Sequence, residues 1–331
     1  MSASRRAAPR RAPPIRPEVR PRRTEQPSPP PAGRGSGGGP LGHCRPHQSG
    51  AALILALFAA ALATLLATRM LERTDILIGT IEGRHLHAQA VELTRGGVDY
   101  ARAVLMEDQR RSVTDHAGEP WATPLPPLEA TAGAIKAAIG GRIEDVQGRW
   151  NINNLRTSTG APDPVQLALF RRLLAALSLD ETLAAKAATR IAAPGTELGE
   201  LGALSTVSGF DAAALAALAS HVVALPGPQP VNVNTATAPV LMALLPGLDA
   251  SGARQLVVQR DRVPWRDLAD FRAALSSGLD GNAGGVPMDV RSQFFLVRVR
   301  AVAGRAAATQ EALLHRDATA RWPSVLWRHY L

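Results

Sequence analysis

The chain has 331 residues, a formal net charge of +9 and one cysteine, Cys44. One cysteine excludes an intrachain disulfide, so an exported part would depend on its core, a metal or partners. Ten of the 37 basic residues but only two of the 28 acidic ones lie in residues 1–50; the remainder nets +1, which weakens the case for a broad phosphate-binding surface.

Residues 1–50 hold eleven of the 26 prolines and the run Gly33–Pro40. Such a segment buries too little apolar surface to offset its ordering entropy and reads as a disordered basic leader. His43, Cys44 and His47 within it have no fourth ligand at a fixed spacing and read as chance neighbours.

Ala51–Thr68 follows, eighteen residues without a charge. As a helix it is about 27 Å long, close to the thickness of a bilayer core. Leu53, Leu55, Leu57, Phe58, Leu62, Leu65 and Leu66 within it are expected to face lipid and later a helical assembly. The arginines before it predict a cytoplasmic N-terminus and an external C-terminus. A cleaved signal would have a shorter apolar core and a small-x-small site; here Arg69–Arg73 continue the helical pattern. Gly50 stands directly before the apolar helix, as in prepilin-like leaders, which makes Gly50–Ala51 the candidate processing site.

Apolar residues at three- and four-residue steps extend the helix to about residue 108, bent or loosened at Gly79, Gly83, Gly96 and Gly97. A polar loop with Asp115–Trp121, Pro124, Pro126 and Pro127 follows. Ala134–Ile139 and Arg142–Val146 read as two short strands around Gly140 and Gly141, and Trp150–Leu155 as a third or a strand end. Asp163 caps a helix to Leu177, Asp180 one to Ile191 and Asp211 one to Val223; 194–210 is weakly helical. Val231–Thr235 is extended, Thr235 or Thr237 caps a helix with Pro239 in its first turn, and Leu245–Leu248 is a hairpin. Helices at Ser251–Arg260 and Leu268–Leu275 precede a loop at 276–290. Phe294–Val302 alternates as a strand, with Thr309–His315 pairing back and Val325–Trp327 as a last strand. The expected organisation is a leader (1–50), a long helix (51–108), the first part of a sheet domain (109–162), a helical insertion (163–230), a helix-hairpin-helix-like segment (231–290) and closing strands (291–331): an α+β, pilin-like fold with a small antiparallel sheet.

Residues 48–50 with the apolar helix, Asp115–Trp121, Arg142–Leu155, Asp163–Gln166, Val231–Ala236, Phe294–Arg300 and Val325–Arg328 together resemble the protein K family of type II secretion system minor pseudopilins. The resemblance implies cleavage after Gly50 by prepilin peptidase, with Ala51 as the first mature residue. It implies a place in the inner membrane and then at the tip of a periplasmic pseudopilus, capping or initiating it for export of folded proteins. The implied partners are other minor pseudopilins and the inner-membrane secretion platform. Most pilins carry Glu as the fifth mature residue, where it neutralises a neighbour's N-terminal amine; Leu55 stands there here, as in protein K. The family's insertion usually carries an Asp-rich, calcium-linked stretch. Ala187–Leu204 contains only Glu197 and Glu200, so no metal or other cofactor is expected.

The alternative is a membrane-tethered DNA-uptake protein, since Val231–Ala236 and Leu245–Asp249 resemble a helix-hairpin-helix motif that offers backbone amides to phosphate. Asp249 would repel phosphate, however, and Arg254 and Arg260 are the only nearby bases on the next helix, so nucleic acid is not the expected partner. No enzyme motif is present. His85, His87, His116, His221 and His315 stand apart. Asp99, Glu107, Asp108, Glu144 and Asp145 read as solvated faces and a strand end. Trp121, Trp150, Trp265 and Trp327 read as core anchors; Asn151, Asn153 and Asn154 are expected to satisfy turn backbones.

Overall fold

The computed structural model describes residues 49–132, 135–192, 197–317 and 319–331. The leader and its His43, Cys44 and His47 lie outside the described residues. The chain divides into two units, 1–65 and 66–331.

Helix α1 (Ser49–Arg111) is unbroken. The expected loosening at its glycines does not occur. A glycine costs about 1 kcal/mol in a helix, and at Gly97 the missing side chain is what the packing requires. A Cβ there would lie 2.6 Å from Val299 Cγ1 and 3.0 Å from Ile139 Cδ1. From Ala51 to Leu65, in the first unit, every residue is exposed.

The second unit contains, in order, β1 (Leu125–Ala132), β2 (Ile135–Asp145), β3 (Trp150–Asn151), α2 (Pro164–Ala176), α3 (Leu183–Ala192), α4 (Ala212–Leu218), β4 (Val222–Val223), β5 (Val231–Asn232), α5 (Ala238–Leu244), α6 (Ala250–Arg262), α7 (Leu268–Ala273), β6 (Met288–Asp289), β7 (Phe294–Ala303), β8 (Ala306–His315) and β9 (Ser324–Tyr330). Five strands form one antiparallel sheet in the order β1-β2-β7-β8-β9. Strands β2 and β7 are neighbours, from Ala137↔Ala303 to Asp145↔Phe295, so helices α2 to α7 are inserted between two adjacent strands of one sheet.

Alternation along β7 does what the pleat demands. Phe295, Val297 and Val299 are buried while Arg298 and Arg300 are exposed. The buried set packs with Val98, Ala101 and Leu105 of α1, with Ala312 and Leu314 of β8, and with Trp121. Each large apolar side chain removed from water there contributes about 1.5–3 kcal/mol. A separate core gathers the inserted helices. Trp150 stacks on Phe170 at 4.8 Å, and Trp265 meets Phe271 edge-on at 4.8 Å. The segments 163–230 and 231–290 share this core.

Several elements differ from the sequence reading. The two strands expected around Gly140 and Gly141 are one, β2, because pairing on both sides carries the backbone through the glycines. A Cβ at Gly141 would fall 2.7 Å from Arg298 O. Strand β1 was concealed by its prolines. It is an edge strand whose register shifts between Leu125 and Leu128, and an edge is where a proline's missing N–H costs least. The helix capped by Asp211 ends at Leu218 rather than Val223, because Val222 and Val223 pair in parallel with Trp150 and Asn151. Asp180 accepts from the Thr182 amide in a turn, and the helix begins only at Leu183. Within the expected loop 276–290, Met288–Asp289 pairs with β5.

Candidate functional site

The Gly50–Ala51 bond lies in the first turn of α1. The expected assembly residues are all exposed, from 47% at Leu62 to 68% at Leu55. The helix is long and apolar enough to cross a membrane. The Thr64 hydroxyl donates to Ala60 O at 2.8 Å, so it brings no unmet hydrogen bond into lipid. Exposed apolar side chains continue past the eighteen-residue run, at Met70, Leu71, Ile76, Leu77, Ile78 and Ile81. Ala51 to Ile81 would span about 46 Å as a helix, against a hydrocarbon core of about 30 Å.

A second set of residues joins the family-like segments inside the fold. Arg316, just beyond β8, is buried. Its Nη1 donates to Asp108 Oδ2 at 2.8 Å, and its Nη2 to Asp115 Oδ1 and Oδ2 at 2.5 and 2.6 Å and to Ser292 O at 2.8 Å. Its guanidinium lies over the Phe295 ring at 4.6 Å. Asp145, at the end of β2, accepts from Ser292 Oγ at 2.7 Å, from Asn232 Nδ2 at 3.0 Å, from the Gln147 amide at 2.8 Å and from Thr235 Oγ1. Asn232 Nδ2 also donates to Asp115 O at 3.0 Å. Burial pushes the Asp115 carboxyl up to about 7, against the attraction of Arg316. Burial also raises Asp108 and Asp145. Asp145 does end a strand as expected, but neither it nor Asp108 is solvated; they hold the end of α1, the end of β2 and the approaches to β5 and β7 together. Arg316 carried no sequence signal, because its partners are about 200 residues away in the chain.

Asp108, Asp115 and Glu119 bring carboxylate oxygens within 4.8 Å of one another. Asp108 and Asp115 already bind the Arg316 cation, and Glu119 Oε2 accepts from Trp121 Nε1 at 2.8 Å and from the His116 amide at 3.0 Å. The set acts as an internal ion pair with a buried indole.

The asparagines do more than close turns. Asn153 accepts from the Leu198 amide and donates to Leu198 O and Leu225 O, and Asn154 forms a two-bond clamp on the Gln229 backbone. Asn151 bonds both Leu225 N and Gly227 O. Trp121, Trp150 and Trp265 are buried as expected, while Trp327 is half-buried and stacks on His329. The histidines stay separate: His85 faces Gln89, His116 Nδ1 accepts from the Gly118 amide, His221 pairs with Thr237 and His315 stacks on Phe294. Asp99, Glu107 and Glu144 pair with Arg102, Arg111 and Arg149. In the hairpin segment, Asp249 caps α6 by accepting from the Gly252 amide at 2.7 Å, and Arg260 is buried and donates to Val233 O at 2.8 Å. An anion would meet a carboxylate there, and one of the two bases serves the core.

A long N-terminal helix, exposed and apolar at its start and packed further on against one face of an antiparallel sheet, defines a pilin-like, single-pass membrane subunit. A family model described as type II secretion system (T2SS), protein K matches residues 231–287, and the Type II secretion system protein K of Pseudomonas aeruginosa is 32% identical over 288 residues, which cover 76% of this chain and 84% of the relative. The chain belongs to the type II secretion system protein K family, a family of minor pseudopilins. The protein K of Pectobacterium carotovorum is 27% identical over 310 residues, covering 82% of this chain and 93% of the relative. Among solved structures, the GspK-GspI-GspJ complex from enterotoxigenic Escherichia coli contains a chain that matches with a TM-score of 0.63 at 22% identity, covering 76% of this chain and 99% of that one; that likeness shows the fold. The DNA-uptake alternative finds no support.

Proposed function

We propose that the chain is made as a precursor, cut between Gly50 and Ala51 by prepilin peptidase, and held by α1 in the inner membrane with its N-terminus cytoplasmic and its sheet domain periplasmic. From there it joins other minor pseudopilins, with the inner-membrane secretion platform, to cap or initiate the pseudopilus. One observation carries the reading: the apolar side chains of α1 are uncovered from Ala51 to Ile81, farther than a bilayer core extends. The membrane accounts for part of that length, and apolar helices of partner subunits for the rest. The structural relative is itself a complex of GspK with GspI and GspJ, which supports partners of this kind. Leu55 fits a terminal position, where no neighbouring amine needs a carboxylate.

The role is assembly rather than catalysis, and it calls for no cofactor. Among the described residues, the one close carboxylate cluster, Asp108, Asp115 and Glu119, is engaged with Arg316, Trp121 and the His116 amide. N-terminal sequencing of the membrane-extracted mature protein tests the reading. Ala51 as the first residue is expected; retention of residues 1–50, or a cut near Thr68, overturns it.

A further inference from the structure

The face of the sheet turned away from α1 carries an arginine cleft that the assembly role leaves unused. Strand pleating sets it up. Val297 and Val299 point toward α1, so Arg298 and Arg300 point the opposite way. Register then brings the neighbours. Arg142 lies opposite Arg298 and Gly140 opposite Arg300 across β2 and β7, while Glu311 and Thr309 lie opposite Arg298 and Arg300 across β7 and β8.

Arg298 is neutralised by Glu311. Arg142 and Arg300 are both exposed, and among the described residues neither has a carboxylate partner. They occupy diagonal positions on adjacent strands, about 7–8 Å apart. Like charges so placed repel, and among the described residues no carboxylate pairs with either. They border a cleft of about 630 Å³ whose lining includes Pro124, Leu125, Pro127 and Val302 but no acidic residue. The rigid proline wall comes from the register shift in β1. The site thus offers two free guanidiniums, fork-shaped donors suited to carboxylates, beside an apolar wall.

We propose that this cleft binds an extended acidic segment of a partner protein, one other than the subunits that pack along α1. The spacing supports an extended chain. Alternate side chains on a strand recur about every 6.6–6.8 Å, so carboxylates two residues apart reach Arg142 and Arg300 together, and an apolar residue beside them meets the prolines. Nucleic acid fits less well, because a phosphate backbone is held by a row of cations, whereas this cleft offers two beside an apolar wall. The proposal stands independently of where the leader is cut.

The full chain in detergent micelles, titrated with a fluorescent peptide carrying Asp-x-Asp-x-Asp flanked by apolar residues, tests it. An Asn-x-Asn-x-Asn peptide and a short DNA duplex serve as comparisons. Expected are salt-sensitive binding of the acidic peptide only, and a loss of about tenfold or more in Arg142→Gln/Arg300→Gln at an unchanged melting temperature. Arg328→Gln, a charge change on β9, should leave binding intact. Equal binding of the Asn peptide, undiminished binding by the double variant, or tighter binding of the duplex through the same arginines would each overturn the proposal.

Discussion

Arg316 holds both carboxylate oxygens of Asp115 at 2.5 and 2.6 Å, and the two side chains are 6% and 2% exposed. The pair fastens the loop after α1 to the chain beyond β8. Asp108, on the last turns of α1, takes the other arm of the same guanidinium. Removing the cation strands two carboxylates in a poorly solvated site, and breaking a buried pair from one side costs about 3–5 kcal/mol. Arg316→Met should therefore lose about that much in urea unfolding. A loss under about 1 kcal/mol would show that the carboxylates escape to water.

The same cluster sets a pH dependence. Burial raises Asp115 to about 7, whereas an unfolded aspartate titrates near 3.9. Between those values the folded state keeps a proton that the unfolded state has released. The stability this group contributes is full below about pH 4 and is lost as pH rises to 7. One proton gives a slope of up to about 1.4 kcal/mol per pH unit. Asp108 and Asp145 are raised by burial and act in the same direction. Melting temperature should fall as pH rises from 5 to 7, and Asp115→Asn should flatten that fall. A wild-type profile that climbs over this range would contradict the assignment.

Gly96 and Gly97 are adjacent in α1 and should respond in opposite directions. A Cβ at Gly96 meets nothing within 4 Å, while one at Gly97 collides with Val299 and Ile139. Gly96→Ala removes a helix penalty and should stabilise by about 0.5–1 kcal/mol. Gly97→Ala overpacks the contact between helix and sheet and should cost about 1–3 kcal/mol. Equal effects of the two in thermal melts would mean that α1 does not rest on the sheet at Gly97.

Local signals made much of this architecture legible. The charge-free run at Ala51 marks the apolar helix, Asp163 and Pro164 mark the start of α2, and alternation from Phe294 marks β7. Signals were misleading where tertiary pairing overrides them. Pro126 and Pro127 hid an edge strand, and Gly140 and Gly141 looked like a break in a strand that neighbours on both sides hold straight. The polar junction was least legible. Asp145 and Arg316 look like surface residues in the chain, and the meeting of the ends of α1 and β2 with the approaches to β5 and β7 buries them.

Asn234 shows how a polar side chain can replace a strand partner. Its Oδ1 accepts from the Trp265 amide at 3.0 Å, and its Nδ2 donates to Trp265 O at 2.9 Å. Asn234→Leu keeps most of the volume but leaves two buried backbone groups unpaired, each costing about 1–3 kcal/mol. A loss of about 2–5 kcal/mol is expected in denaturant unfolding, together with a change in Trp265 fluorescence, because Trp265 sits against Phe271 in the helical core. An unchanged midpoint would mean that solvent reaches this backbone.

Chelation should leave the fold untouched. Calcium takes six to eight oxygens, and Ala187–Leu204 supplies two carboxylates, Glu197 and Glu200. Glu197 Oε1 already accepts from the Gly227 amide at 2.5 Å, so part of that set is committed to joining the loop to the backbone. A cation bound at one hundred times its dissociation constant would stabilise the protein by about 2.7 kcal/mol. For a protein of this size that amounts to a shift of roughly 4–5 °C in melting temperature. Melts with millimolar calcium and with excess EDTA should therefore superimpose. A downward shift of several degrees in EDTA would place a cation in the fold, and Glu197→Gln would then show whether this loop holds it.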